Sequence, residues 1–203
     1  MLDLPAAFDT IDHNILLTRL RSTFGISGTV FSLLSSYLCS RSQSVAVDHE
    51  FSSSLPLLRG VPQGSVLGPL LFSLYTTPLS HILADSSIQF HFYADDTQLY
   101  VSFSSADSSQ SLRKLSFTLD LVHSWFCANR LVVNPSKTEY LLICNDIQRS
   151  KVTNSSVYFQ NVALSPTDSV RNLSAVLTHG RAPRLGVSLG PSKSNARANF
   201  RLS

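Results

Sequence analysis

A chain of 203 residues in which 43% of side chains are hydrophobic suits a single domain with a substantial core. No run of about eighteen apolar residues supports a membrane-spanning helix and no basic segment followed by an apolar stretch marks a secretory signal, so the expected setting is intracellular, cytoplasmic or nuclear, with Cys39, Cys127 and Cys144 as scattered, reduced thiols. The net charge of +3 is uneven: six basic and no acidic residues follow Asp168, which leaves ten basic against thirteen acidic residues in 1–168.

Helices and strands alternate along the chain. Residues 2–4 read as a strand end, and Asp9 or Asp12 can cap a helix whose Ile15, Leu16, Leu20 and Phe24 fall at helical spacing before Gly25. A second helix is predicted over residues 28–38, with Val30, Leu33, Leu34 and Tyr37 on one side. Residues 43–47 and 51–57 read as the strands of a hairpin around Asp48, His49 and Glu50. Residues 65–81 are apolar and helix-length, with Pro69 near the start, where a missing N–H costs least. Residues 88–93 and 98–103 read as strands on either side of Asp95 and Asp96. An amphipathic helix follows over 111–129, its Leu112, Leu115, Leu119, Val122 and Phe126 spaced by threes and fours. Residues 131–133 and 140–143 read as short strands separated by a turn containing Pro135 and Lys137.

The pair Asp95 and Asp96 stands inside the aromatic run His91-Phe92-Tyr93-Ala94-Asp95-Asp96-Thr97-Gln98-Leu99-Tyr100, where a purely structural hairpin would carry Asn-Gly or Asp-Gly. Adjacent anions repel. A divalent cation would offset that cost, because hard ions such as Mg²⁺ take one or two carboxylates plus substrate phosphates. A solvent-facing Asp-Asp turn is the plainer alternative. Other chemistries fail on spacing: Ser65 lies in Gly64-Ser65-Val66-Leu67-Gly68 rather than the Gly-x-Ser-x-Gly of a nucleophile elbow, and none of the six histidines belongs to a His-Glu-x-x-His zinc motif.

Three further segments stand in order around the pair. They are Leu2-Asp3-Leu4-Pro5-Ala6-Ala7-Phe8-Asp9, Arg59-Gly60-Val61-Pro62-Gln63-Gly64-Ser65-Val66-Leu67-Gly68-Pro69 and Leu131-Val132-Val133-Asn134-Pro135-Ser136-Lys137-Thr138. With the Asp pair as the third of four, the chain resembles the palm of reverse transcriptases, most closely those of LINE-type (non-LTR) retrotransposons, over residues 2–143. The resemblance implies an α+β fold, a small antiparallel sheet with helices packed on one face. It implies an RNA-directed DNA polymerase that joins deoxynucleotides to a DNA primer on an RNA template, using two Mg²⁺ or Mn²⁺ ions.

Phosphoryl transfer of this kind needs two cations about 3.5–4 Å apart, which carboxylates on separate strands can grip. By resemblance Asp3 and Asp95 are the direct metal ligands, with Asp96 beside them, and Lys137 protonates the leaving pyrophosphate. Phe8 lies under the sugar of the incoming nucleotide and blocks a 2′-hydroxyl, while Gln63 and Gly64 contact nucleotide or template. Each has a plain counterpart: a surface carboxylate for Asp3, a core aromatic for Phe8, a loop residue for Gln63 and a solvated turn lysine for Lys137. Asp9 and Asp12 read as caps rather than ligands, and Gly60 and Gly64 as glycines that let the backbone approach a ligand.

Departures from the family pattern set further expectations. Pro5 replaces a small polar residue, and Ser174 stands where glycine is usual in a strand resembling the fifth family segment near residues 170–177. The resemblance begins at the first of the four segments, so fingers and thumb are expected to be missing, and the acid-rich 1–168 region would not itself grip nucleic acid. The expected organisation is a palm-like region over 1–145, a partial strand region over 146–177 and a disordered basic tail over 178–203. Two classes follow: a truncated polymerase palm inactive alone, or a non-catalytic retroelement-derived protein that keeps the fold as a structural or interaction module.

Overall fold

The computed structural model describes residues 2–178 except Asp3, Pro5, His49, Gln63, Ser87, Ala94, Thr153, Asn154, Leu173 and Ser174. The expectations for Asp3, Pro5, Gln63, Ser174 and the tail beyond Thr178 therefore fall outside the described residues. The remainder is a mixture of helices and small antiparallel sheets, compatible with an α+β fold. No helix among the described residues is long and apolar enough to cross a membrane.

The first helices are α1 (Ala7–Thr10), α2 (His13–Ser22) and α3 (Gly28–Leu38). Asp12, rather than Asp9, caps α2: its carboxylate accepts from the N–H groups of Asn14 and Ile15 at 3.0 and 3.2 Å, satisfying donors that have no partner inside the helix. Asp9 lies within α1. After α2 the chain turns at Gly25, whose φ of +66° suits glycine. Helix α3 has its expected bounds but not its expected inner face. Val30 and Leu33 are exposed and only Leu38 is fully buried, because α3 packs against α2 along one narrow edge.

Between α3 and the next helix runs a thin two-stranded ribbon. Strand β1 (Ser42–Gln43) pairs with β4 (Leu55–Pro56), and β2 (Ala46–Val47) with β3 (Glu50–Phe51), so the expected hairpin forms as two short ladders interrupted in the middle. The long helix expected over 65–81 is two helices, α4 (Gly68–Thr76) and α5 (Leu79–Asp85). Pro78 separates them, since it has no N–H to continue the hydrogen-bond ladder of α4. Pro69 does sit in the first turn.

Strands β5 (Gln89–Tyr93) and β6 (Asp96–Tyr100) form the hairpin that carries the Asp pair; the second strand starts at Asp96 rather than at residue 98 and ends before 101, because the tight turn pairs Asp96 with Tyr93. Helix α6 (Ser108–Ala128) buries Leu112, Leu115, Leu119, Val122 and Phe126, the five residues its spacing selects. Residues 131–133 and 140–143 do not become strands. Leu131 and Val133 are buried in irregular backbone, Pro135–Lys137 is a single 3₁₀ turn, and Leu141 makes only one parallel bridge, to Thr167. Helix α7 (Asp146–Lys151) opens with a capping box between Asn145 and Gln148. The hairpins of β7 (Val157–Phe159) with β8 (Val162–Leu164) and of β9 (Ser169–Asn172) with β10 (Ala175–Thr178) follow.

The core joins α2, α4, α5 and α6 through Leu16, Leu20, Leu71, Phe72, Leu79, Leu83, Val122 and Phe126. A polar knot lies within it. The Arg19 guanidinium donates to the Tyr75 carbonyl and to Asn129 Oδ1. It also lies 4.8 Å from the Tyr75 ring centroid and 5.3 Å from that of Trp125. Where residues 139–143 fail to complete a sheet, a cavity of about 550 Å³ remains against β6 and α6, lined mostly by aliphatic side chains that include Leu2, Leu99, Leu115, Leu119 and Leu142.

Candidate active site

The Asp pair owes its position to a tight antiparallel register. Tyr93 lies opposite Asp96 and Phe92 opposite Thr97, so the chain reverses within two residues and Asp95 sits in the turn. Aromatic residues and Thr97 favour these strands, with the Phe90 and Phe92 rings 4.9 Å apart on one of them. Both aspartates are half-buried. On the free edge of β6 a second segment attaches: Leu2 bridges Thr97, its N–H donating to the Thr97 carbonyl at 2.9 Å, and both residues are buried. Strand β6 is thus held by β5 on one side and by the N-terminal segment on the other.

The N-terminal segment is fastened in turn to the glycine-rich loop before α4. The Val61 N–H donates to the Phe8 carbonyl at 2.9 Å and the Gly60 N–H to the Ile11 carbonyl at 2.8 Å, while Asp12 and Arg59 form an antiparallel bridge. His13 Nε2 lies 2.8 Å from the Gly60 carbonyl. A carbonyl can only accept, so that nitrogen carries the proton. Gly60 has φ of +84°, and a Cβ there would lie 3.0 Å from the Asp9 carbonyl oxygen. The close approach it allows is therefore to the protein's own backbone, which corrects the expectation of an approach to a ligand at this position. Gly64, at φ +77° with open space around it, keeps that possibility.

Phe8 is 7% exposed and packs on Phe72 of α4, with ring centroids 5.4 Å apart at 51°. Its edge lies 3.7 Å from where a Cβ on Gly68 would sit. The Ser65 hydroxyl accepts from the Gly68 N–H at 3.1 Å, closing the first turn of α4, which is a structural role. Lys137 is exposed at the end of the 3₁₀ turn. No group of three or more His, Cys, Asp or Glu side chains clusters among the described residues. His13 and Arg19 escape a sequence reading: a polar residue on an apolar helix face signals burial, but not that its partner lies 47 or 110 residues away.

The order of these parts, a short helix with a buried aromatic, a glycine-rich loop docked on it, and an Asp-Asp hairpin alongside, runs through most of the chain. Residues 1–179 match the family described as "Reverse transcriptase (RNA-dependent DNA polymerase)", and the chain belongs to that family. Among its relatives is the "Probable RNA-directed DNA polymerase from transposon BS" of Drosophila melanogaster, 34% identical over 142 residues, which span 68% of this chain and 15% of that protein. The "RNA-directed DNA polymerase from mobile element jockey" of Drosophila funebris is 32% identical over 152 residues, 72% of this chain and 16% of the relative. The "Probable RNA-directed DNA polymerase from transposon X-element" of Drosophila melanogaster is 28% identical over 179 residues, 87% and 19%. The chain thus spans less than a fifth of the length of these relatives.

Proposed function

We propose that this chain is the palm of an RNA-directed DNA polymerase, with Asp3, Asp95 and Asp96 as carboxylate ligands of two divalent ions, Mg²⁺ or Mn²⁺. The observation that carries this reading is the Leu2–Thr97 bridge: Asp3 follows Leu2 in the chain and Asp96 precedes Thr97. The donor chemistry fits, because two carboxylates from half-buried aspartates at one turn suit hard cations that keep water and phosphate in their remaining positions. Asp3, next in the chain to the bridging Leu2, supplies the third carboxylate. When bound, such a pair of ions would activate the primer 3′-oxygen and stabilise the leaving pyrophosphate.

The protein's own groups would do the positioning. Phe8, fixed against Phe72, serves as a rigid wall against a 2′-hydroxyl and so favours deoxynucleotides. Gln63 and the bare backbone of Gly64 contact the nucleotide or the template. Lys137, exposed in its turn, donates a proton to the pyrophosphate. In this reading residues 1–145 form the palm, residues 146–177 a strand region beside it and residues 178–203 a basic tail. With thirteen acidic against ten basic residues, 1–168 holds the chemistry while grip on the duplex must come from elsewhere.

The test is Mn²⁺ binding followed by electron paramagnetic resonance. Wild-type protein should sequester Mn²⁺, and the doubly substituted Asp95→Asn, Asp96→Asn protein should lose that binding with its circular dichroism unchanged. Equal binding by both proteins would overturn the ligand assignment.

A further inference from the structure

We propose that the β1–β4 ribbon is a self-association surface, pairing in antiparallel fashion with the ribbon of a second copy of this chain. All four strands are exposed along their length. Val45, Val47, Phe51, Leu55 and Leu58 are 60–73% exposed, a concentration of large apolar side chains that marks an interface rather than a solvated loop. Each strand pairs on one side only, and a two-stranded ribbon is marginal by itself in water. In the first half of the ribbon, the carbonyls of Arg41 and Val45 accept from Leu57 and Ser52, so the alternate residues Ser42, Ser44 and Ala46 direct their backbone groups to the open edge. No proline or lysine in 41–47 blunts that edge.

Charge identifies the occupant. The tip of the ribbon carries Asp48 and Glu50, and its base carries Arg41 and Arg59. None of the four enters an ion pair among the described residues; Arg59 is exposed, and Arg41 is half-buried with its Nη1 inside the protein. Asp12, bridged to Arg59 through the main chain, has its carboxylate engaged at the α2 cap. An acidic end and a basic end on one ribbon are complementary to themselves only when two copies lie antiparallel. A two-fold axis then sets tip on base twice, with residue i meeting j and j meeting i. The apolar side chains in the middle of the two ribbons then lie side by side on one continuous four-stranded face.

The test uses the full chain and charge reversal, read by light scattering coupled to size exclusion and by sedimentation. Wild type should be a dimer whose affinity falls with added salt. The tip variant Asp48→Lys, Glu50→Lys and the base variant Arg41→Glu, Arg59→Glu should each self-associate about tenfold more weakly or worse. Their equimolar mixture should restore the dimer, because each reversed end then meets an opposite charge. If Arg41→Glu disturbs folding by circular dichroism, Glu50→Lys and Arg59→Glu alone form the complementary pair. A monomeric wild type, variants that dimerise unchanged, a mixture that stays monomeric, or irregular aggregates indifferent to these charges would each overturn the proposal.

Discussion

The Tyr75 hydroxyl donates to the Asn129 carbonyl at 2.6 Å, across 54 residues and entirely within the core. Asn129 in turn accepts at Oδ1 from Arg19 and donates through Nδ2 to the Trp125 carbonyl at 2.7 Å. One asparagine thus ties the end of α6 to α2 and to α4, the helix on which Phe8 packs. Burial raises the Tyr75 pKa and lowers that of Arg19.

Tyr75→Phe keeps the ring and removes the donor, leaving the Asn129 carbonyl unsatisfied. The expected loss is about 1–3 kcal/mol of unfolding free energy. The chain has one tryptophan, Trp125, beside Arg19, so urea unfolding followed by its fluorescence reports the change. An unchanged midpoint would show that the knot contributes nothing.

Gly60→Ala and Gly64→Ala should separate in stability. Both place a side chain at positive φ, at a cost of roughly 1–3 kcal/mol. Only at Gly60 does the new Cβ also press the Asp9 backbone, which flexible side-chain motion cannot relieve. Gly60→Ala should therefore show the lower melting temperature. The reverse order would argue against the docking of the glycine-rich loop on α1.

Alkaline pH should destabilise the fold through tyrosine. Burial first, and Cys144 second, push Tyr140 up to about 12 from an ordinary 10, and burial raises Tyr75 as well. A raised folded-state pKa means that the neutral phenol is favoured by folding. The stability it confers is complete below about pH 10 and lost as pH rises through the folded value. Because the Tyr140 hydroxyl is buried with no hydrogen-bond partner, Tyr140→Phe should cost nothing at pH 7 and should flatten the decline above pH 10. Unfolding midpoints between pH 8 and 12 for both proteins check this.

Elements whose signals are local were legible in the sequence. Helix α6 is legible because its apolar spacing persists for about four turns, and the β5–β6 hairpin because strand-forming residues stand on both sides of the turn at Asp95, although not the bounds of β6. Where a second local signal competed, the reading failed: Pro78 divides an apolar stretch that periodicity alone makes one helix. Residues 131–133 and 140–143 have strand-like composition, but strands need partners, and the sequence does not say whether a partner comes within reach. For the same reason the site was visible only as parts. Asp95 and Asp96 mark themselves by their mutual repulsion, and Gly60 marks a close backbone approach without saying that Asp9 makes it, whereas the Leu2–Thr97 bridge is a long-range closure made by backbone, which leaves no trace in side-chain identity.

The polymerase reading is tested most directly by a graft. Residues of this chain would replace the aligned segment of the Drosophila melanogaster transposon BS polymerase, and primer extension on an RNA template would be measured with deoxynucleotides and Mg²⁺. Template-dependent extension is expected, falling by at least about a thousandfold on Asp95→Ala, the loss that follows when metal stabilisation worth several kcal/mol is removed. A folded, template-binding graft that extends nothing, or one whose extension survives Asp95→Ala, would contradict the polymerase reading.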